Sequence, residues 1–195
     1  MTVLLVVSDD YWGARAEAIA TSYSGVAVAV DRSGGAGRAV RLVLRGSIPF
    51  AAAMNMFVTT ILLPSVRPKT KQSFASNQEL RDIAANQRVS HIILFRAGLI
   101  VSGATLVGYN VTNVHCADLN GFGGLASIWR ALNAGALKQC ATLHQVTNQI
   151  DVGTVLDTEP YVLNRNSSYS NNERAAYEAG LRLVDRTLSL ARREP

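Results

Sequence analysis

Short apolar runs alternate with longer segments of mixed polarity along this chain, and that alternation is typical of an α/β protein. Residues 2–8 and 26–30 are apolar and predict two buried parallel strands, with a helix at about residues 12–21 between them. Strand, helix and strand at this spacing form a βαβ unit with a right-handed crossover. The N-terminal segment therefore predicts the beginning of a parallel sheet.

The same alternation continues towards the C-terminus. The sequence Ser76-Asn-Gln-Glu79 resembles a capping box and opens a helix that ends near residue 87. The other predicted elements are strands at 90–95, 111–115, 141–146 and 154–162, and helices at 127–134 and 172–193. No internal repeat or linker interrupts the pattern, so residues 1–195 predict a single doubly wound, Rossmann-like α/β domain with a mostly parallel sheet.

One apolar segment does not fit a strand. Residues 48–66 are nearly free of charge and contain Pro49 and Pro64, and the segment is slightly short for a membrane span. We expect a helix that is buried or covered by a partner, with a membrane-surface or homo-oligomer contact as the alternative. An exposed basic loop is expected at residues 67–71, and a Ser/Gly-rich loop at residues 31–37.

The composition is that of a globular protein, with 48% hydrophobic and 17% charged residues and a net charge of +5. The excess charge lies in residues 1–110, which carry 11 Lys/Arg against 6 Asp/Glu, whereas residues 111–195 carry 8 of each. A solvated basic face explains this excess, and an anionic ligand such as a nucleotide or phosphate is the alternative. No motif favours a nucleic-acid partner.

Little material is present for metal or redox chemistry. The three histidines and two cysteines have no metal-binding spacing, so we expect no metal site and no disulfide framework. The sequence begins without a secretory leader and contains no transmembrane segment, which predicts a cytoplasmic protein.

Three polar residues near predicted strand ends have the chemistry for acyl transfer. Asn113 and His115 end one strand, and Asp151 lies in the loop after another. We expect them to meet at the carboxyl edge of the sheet, where α/β proteins bind ligands. An amide and a protonated imidazole stabilise a developing oxyanion, and a carboxylate orients the imidazole and takes a proton. Taken singly, Asn113 as a turn cap and His115 as a core histidine are the simpler interpretations.

The sequence around these residues is more specific than the residues themselves. It consists of Asn113-Val-His115-Cys-Ala-Asp-Leu-Asn-Gly-Phe-Gly-Gly124, Ile128-Trp-Arg-Ala131, Thr142-Leu-His144 and Asp151-Val-Gly153. From Asn113 to about Pro160 the chain resembles the catalytic domain of the 10-formyltetrahydrofolate-dependent formyltransferases. Members include glycinamide ribonucleotide transformylase, methionyl-tRNA formyltransferase and the sugar N-formyltransferases. The resemblance implies a formyltransferase-type fold, a folate co-substrate and transfer of a formyl group to an amine.

The same resemblance implies roles for individual residues. Asn113, His115 and Asp151 would be catalytic: Asn113 donates to the oxyanion, protonated His115 adds charge, and Asp151 raises the pKa of His115 and accepts the amine proton. The residues implied to line the folate pocket are Leu99, Ile100, Val101, Val146, Thr147, Ile150 and Asp151. Those implied to support the catalytic residues are Thr142, His144 and Gly124, the last by permitting a tight turn.

Three residues depart from the family pattern. Cys116 and Asn120 stand where prolines are usual, so the loop after His115 is expected to be less rigid or differently shaped. Cys140 stands where a glycine is usual. Cys116 is next to a histidine, but adjacent strand residues point to opposite faces, which argues against a nucleophilic Cys116.

The chemical class of the formyl acceptor is inferred from what the sequence lacks. Residues 8–13 lack the Gly/Asn/Ser-rich phosphate cradle of the purine-pathway enzyme, and Asp9 and Asp10 repel a phosphate or else bind a cationic amine. A second basic domain, which formylation of initiator tRNA implies, is missing from the sequence. We therefore expect a small amine, with a nucleotide-linked amino sugar as the first candidate. The alternatives are a 10-formyltetrahydrofolate hydrolase and a non-catalytic folate-binding or assembly module.

Overall fold

In the computed structural model, which describes residues 2–34 and 49–191, seven strands form one sheet. The strands are β1 (Val3–Ser8), β2 (Val26–Asp31), β3 (Ser73–Phe74), β4 (His91–Phe95), β5 (Asn110–His115), β6 (Lys138–Gln145) and β7 (Val155–Val162). The helices are α1 (Tyr11–Ala20), α2 (Phe50–Leu62), α3 (Asn77–Asn86), α4 (Gly103–Gly108), α5 (Leu119–Phe122), α6 (Ser127–Ala134) and α7 (Tyr169–Ala191). Within the described residues, strands and helices alternate as far as β5.

The strand order is β3-β2-β1-β4-β5-β6-β7. The first five strands pair in parallel, and β6 and β7 add an antiparallel edge. After β1 the chain builds outward through β2 and β3, then returns to place β4 on the other side of β1. The gap between β1 and β4 is therefore a topological switch point, outside which α/β proteins bind ligands. The predicted doubly wound, mostly parallel sheet is confirmed.

Each face of the sheet has its own hydrophobic core. On one face, Leu5 of β1 belongs to a cluster that includes Trp12 of α1 and Leu183 of α7. On the other face, Leu4 belongs to a cluster that includes Leu80 of α3. Successive strand residues point to opposite faces, so β1 is buried on both sides and reads as one continuous apolar run.

The predicted elements are found with shifted ends. Strand β6 begins at Lys138 rather than residue 141, and α7 begins at Tyr169 rather than residue 172. The capping box is present in part, since Ser76 Oγ accepts the N–H of Glu79 at 3.3 Å. The elements that the sequence did not predict are β3, α4 and α5, which are too short to show a periodicity. Residues 35–37, 48 and 192–193 of predicted segments lie outside the described residues.

Helix α2 corrects one expectation. The apolar segment is helical, but burial within its own fold is wrong for much of it: Phe50 is 71% exposed and Phe57 is 60% exposed. Only one side, with Ala52 and Thr59, is buried. Uniform hydropathy along the segment concealed which side faces the core. Among the described residues, no helix has the length and hydropathy needed to cross a membrane.

Gly180 lets α7 lie close to the sheet. A Cβ at this position would stand 2.7 Å from Cys116 Sγ and 2.9 Å from Phe95 Cε2, closer than real Cβ contacts. Glycine in the middle of a 23-residue helix is a poor helix former, so the close approach offsets a cost in helix propensity.

Replacing Gly180 by alanine therefore should destabilise the protein by about 1–3 kcal/mol through overpacking, although alanine is the better helix former. Chemical denaturation measures the change in the free energy of unfolding. Gly108→Ala is the matched control, because no heavy atom lies within 4 Å of a Cβ at that end of α4. Equal or greater stability of Gly180→Ala would show that α7 does not pack as described.

Candidate active site

The site begins on two paired strands. Asn113 and His115 flank Val114 on β5, and Val114 packs into the core on the α1–α7 face. Asn113 and His115 therefore point to the other face. Strand β6 pairs antiparallel with β5 in a register that puts His144 opposite Asn113 and Thr142 opposite His115. The antiparallel edge thus adds an imidazole beside the predicted amide.

Asp151 reaches the two strands from the loop between β6 and β7. Its φ of 51° lies in the left-handed region, which is uncommon for a residue with a side chain. Its Oδ2 accepts the N–H of Gly124 at 2.7 Å and lies 3.4 Å from His115 Nδ1. Its Oδ1 lies 3.5 Å from His144 Nε2. The structure therefore gathers His115 and Asp151 directly, and Asn113 through His144, whose Nε2 is 3.1 Å from Asn113 Nδ2.

His115 has an acceptor beside each ring nitrogen. Its Nε2 is 3.0 Å from the carbonyl oxygen of Phe122, so Nε2 carries a proton and donates it. In the neutral ring Nδ1 is then unprotonated and faces Asp151. Burial lowers the pKa of His115 below its ordinary 6.5, and this outweighs the opposite effect of the Asp151 charge. Asp151 thus raises the pKa of His115 as expected, but burial sets the net direction.

His144 is buried and lies close to three polar groups. Its Nδ1 is 3.1 Å from the carbonyl oxygen of Gln145 and donates to it. Its Nε2 is 3.1 Å from the amide nitrogen of Asn113, from which it accepts, and 3.5 Å from Asp151 Oδ1. Thr142, which was also expected to support the site, donates its hydroxyl to the carbonyl oxygen of Ala117 at 3.0 Å.

Asp151 remains ionised at neutral pH. Burial raises its pKa, but the hydrogen bond of His144, the charge of His115 and the N–H of Gly124 together lower it to about 2. Within residues 2–34 and 49–191, no group of three His, Cys, Asp or Glu side chains is arranged to hold a metal ion.

The residues predicted to line a folate pocket fall in two loops, which follow β4 and β6. Leu99 and Val146 pack against one cluster on the α3–α4 face, and Val101 belongs to that cluster. Ile100 is 58% exposed and Ile150 is 62% exposed, so both present apolar surface to solvent. The remaining residue of the set is Thr147, whose hydroxyl donates to the carbonyl oxygen of Gln149.

The three departures from the family pattern have structural explanations. Cys116 is 7% exposed, and burial raises the pKa of its thiol to about 12, so it is not a thiolate nucleophile. Asn120 lies in the short helix α5, where its N–H is capped by Asp118 at 3.0 Å. Cys140 lies opposite Pro160 in the antiparallel edge, and partial burial raises its thiol pKa.

A polar cluster that was not predicted from the sequence lies at the switch point. Asp10 Oδ1 accepts from Ser8 Oγ at 2.8 Å and from the N–H of Gly13 at 2.9 Å, so it caps α1. Asp10 Oδ2 pairs with Arg96 Nη2 at 2.8 Å, and the Arg96 guanidinium lies 4.0 Å from the ring centre of Tyr177. The signal was the position of Arg96, directly after a buried strand.

A cavity of about 180 Å³ opens beside this cluster, between α1, α2 and α7. Arg96 and Tyr177 line it, as does Glu173, which is 6% exposed. Burial raises the pKa of Glu173 to about 7. Phe95 pairs in register with Val114, so the next residues along β4 and β5 are Arg96 and His115. Arg96, which lines the cavity, is therefore one strand away from His115, although the cavity lies on the α1–α7 face and the His115 side chain points to the other face.

Burial and the Asp151 charge have opposed effects on the pKa of His115, and this predicts how His115 titrates. In the wild type the midpoint should lie below 6.5, and Asp151→Asn should lower it further, because the charge that raises the pKa is removed while burial remains. Histidine-resolved NMR measures both midpoints. A midpoint above 6.5, or an upward shift in Asp151→Asn, would contradict the assigned balance. Below pH 6.5 the unfolded chain binds more protons at His115 than the folded chain does. His115 should therefore lower the free energy of unfolding as pH falls below 6.5.

The fold is similar to that of known formyltransferase structures. Phosphoribosylglycinamide formyltransferase from Anaplasma phagocytophilum is 16% identical, with a TM-score of 0.70 over 99% of this chain and 87% of that chain. The enzyme of the same name from Bacillus halodurans is 20% identical, with a TM-score of 0.67 over 99% and 96%. A Mycobacterium tuberculosis protein proposed as a sugar N-formyltransferase is 16% identical, with a TM-score of 0.66 over 98% and 68%.

A search of curated proteins finds no match to the sequence. The family model described as formyl transferase matches residues 15–187, which include Asn113, His115 and Asp151. The match spans most of the chain and both halves of the sheet. This protein therefore belongs to the formyl transferase family.

Proposed function

We propose that this enzyme transfers a formyl group from 10-formyltetrahydrofolate to the amine of a small substrate, with Asn113, His115 and Asp151 as its catalytic residues. The observation that carries the proposal is the cluster at the end of β5, where His115 Nδ1 lies 3.4 Å from an ionised Asp151 and His144 orients Asn113. Bound 10-formyltetrahydrofolate supplies the formyl group, and a substrate amine attacks its carbon.

Asn113 has the donor that the reaction needs. One N–H of its amide is directed to His144 Nε2 at 3.1 Å, which fixes the plane of the amide. The second N–H would then donate to the formyl oxygen, which gains negative charge as the amine adds. A donor held in place before the reaction stabilises this charge without reorganisation.

The His115–Asp151 pair is our candidate acceptor for the proton that the attacking amine loses. Asp151, with a pKa of about 2, is a weak base alone. His115 is neutral at neutral pH because burial lowers its pKa, and its Nδ1 faces Asp151. We assign the amine proton to His115 Nδ1, where the Asp151 charge stabilises the resulting imidazolium. Transfer should therefore become faster as pH rises through the pKa of His115.

Two loops support folate as the donor. Leu99 follows β4 and Val146 follows β6, the two strands that flank β5, and both side chains pack on the same sheet face. Ile100 and Ile150 leave apolar surface exposed beside them. A pterin ring needs such an apolar wall together with main-chain donors and acceptors at its edge.

The cavity beside Asp10 and Arg96 supports a small formyl acceptor. We do not expect a phosphate of that acceptor to bind at the N-terminus of α1. Asp10 caps that helix and is itself paired with Arg96, so a carboxylate already occupies the place where a helix binds anions. The same contacts occupy both oxygens of Asp10, which argues against direct binding of an amine there. An amino sugar, whose nucleotide extends outside the cavity, remains our first candidate.

The proposal predicts the behaviour of single variants. Asn113→Ala and Asp151→Asn should each lower kcat by about a hundredfold or more. The control is Cys116→Ala, beside His115 in sequence, which should keep activity within about threefold because its buried thiol is protonated. The assay follows release of tetrahydrofolate from 10-formyltetrahydrofolate, with and without candidate amines. Equal release without any amine would identify a hydrolase instead, and no release under any condition would favour a non-catalytic folate-binding module.

We also propose that α2 joins two copies of the protein. Phe50, Met54 and Phe57 are exposed and lie along one side of the helix at spacings of four and three residues. The helix carries no charged residue, so two copies pair without repulsion between like charges. An exposed stripe of this kind is typical of a protein interface.

Phe57→Glu should therefore convert a dimer into a monomer in sedimentation velocity, because it buries an unpaired charge in the contact. Val107→Glu is the control, since Val107 is 90% exposed on α4 and receives the same charge outside the proposed contact. A monomeric wild type at all concentrations would refute the contact without affecting the proposed chemistry.

A further inference from the structure

The loop of residues 97–102, between β4 and α4, is held by a carboxylate from a distant strand. Asp31 ends β2, and its side chain is 8% exposed. Asp31 Oδ2 accepts the N–H of Gly98 at 2.6 Å and the N–H of Leu99 at 2.8 Å. Asp31 Oδ1 accepts the N–H of Ser33 at 2.7 Å. One buried charge therefore fixes the first half of the loop.

Asn77 holds the second half. It is the first residue of α3, and its Nδ2 donates to the carbonyl oxygen of Ile100 at 2.9 Å. Its Oδ1 accepts the N–H of Ser102 at 2.8 Å and the hydroxyl of Thr105 at 3.2 Å. Both atoms of one amide are used, so the orientation of Asn77 is determined. The two side chains thus hold four main-chain groups, the N–H groups of Gly98, Leu99 and Ser102 and the C=O group of Ile100, so any ligand of this loop must be bound by its other main-chain groups.

Arg96, the residue that precedes the loop, is also held in place. Arg96 has a φ of 58°, and its side chain is held by Asp10 and stacks on Tyr177. The apolar side chains of Leu99 and Val101 are directed to the cluster on the α3–α4 face. Ile100 between them is 58% exposed. The main chain of residues 99–101 is therefore held rigidly at the edge of the sheet, although it belongs to a loop.

We propose that Asp31 and Asn77 are positioning residues, which hold the main chain of residues 99–101 in the conformation that receives the pterin ring of the formyl donor. This inference rests on the proposed function, which makes folate the donor. A pterin edge presents donors and acceptors side by side, and it is read best by main-chain N–H and C=O groups in fixed directions. Such precision in a loop requires supporting hydrogen bonds from outside the loop.

Two isosteric variants test the proposal. Asp31→Asn replaces an acceptor oxygen by an amide N–H that points at a main-chain N–H. Asn77→Asp replaces the donor to the carbonyl oxygen of Ile100 by an oxygen, which repels it. The control is Asp82→Asn, the same change in charge on the exposed side of α3, where Asp82 accepts from Gln78. Thermal unfolding establishes that all three variants are folded.

Three measurements give the expected pattern. Calorimetry with tetrahydrofolate should show about tenfold weaker binding in Asp31→Asn and Asn77→Asp, the loss typical of a hydrogen bond to a charged or buried partner. The KM for 10-formyltetrahydrofolate should rise by about the same factor, while kcat and the KM of the amine change by less than about threefold. Hydrogen exchange of the amides of Gly98 and Leu99 should accelerate in Asp31→Asn alone. Asp82→Asn should match the wild type in every measurement.

Failure of this inference differs from failure of the proposed function. If the wild type binds tetrahydrofolate and the two variants bind it equally well, Asp31 and Asn77 have a structural role only and the inference is wrong. If the amine KM rises instead of the donor KM, the loop serves the acceptor, which also overturns it. If the wild type neither binds tetrahydrofolate nor transfers formyl, the proposed function fails, and the donor role of the loop fails with it.

Discussion

Asp151 is an ionised carboxylate that is largely shielded from water, and its partners keep it charged. The N–H of Gly124, the imidazole of His115 and the imidazole of His144 all face it. These groups come from the turn after α5, from β5 and from β6. Removal of any of them would leave part of a buried charge uncompensated, which is costly. One charge therefore fixes the relative positions of the segments that form the candidate active site.

The charge of Asp151 also acts on the pKa of His115. Burial favours a neutral His115, and the carboxylate opposes that preference without overcoming it. In the mechanism that we propose, this neutral ring takes up the proton that the amine releases, and the Asp151 charge stabilises the product. At the switch point the arrangement differs, because Asp10 and Arg96 form an ion pair with each other, and burial raises the pKa of Glu173. The two polar clusters thus share one edge of the sheet but have separate charge balances.

The sequence predicted the parts of the site that depend on strand periodicity. Asn113 and His115 end a recognisable strand, and their alternation with Val114 sets their common face. Asp151 was identified by its neighbours, but its approach was not predictable, since it depends on a positive φ in a loop. The effect of Asp151 on the pKa of His115 was predictable, but the larger effect of burial was not, because burial depends on tertiary packing. Helix α2 was predicted as a helix, yet its exposure depends on what packs against it.

The contacts of the loop after β4 have a consequence for the order in which the chain is made. Asp31 and Asn77 both precede residues 97–102, so during synthesis the loop finds both of its partners already outside the ribosome. His115 must wait for Asp151, which is made after two further helices and a strand. A nascent chain can therefore assemble the loop of residues 97–102 before the candidate active site exists. That site is completed only when β6 and the loop that carries Asp151 have been made.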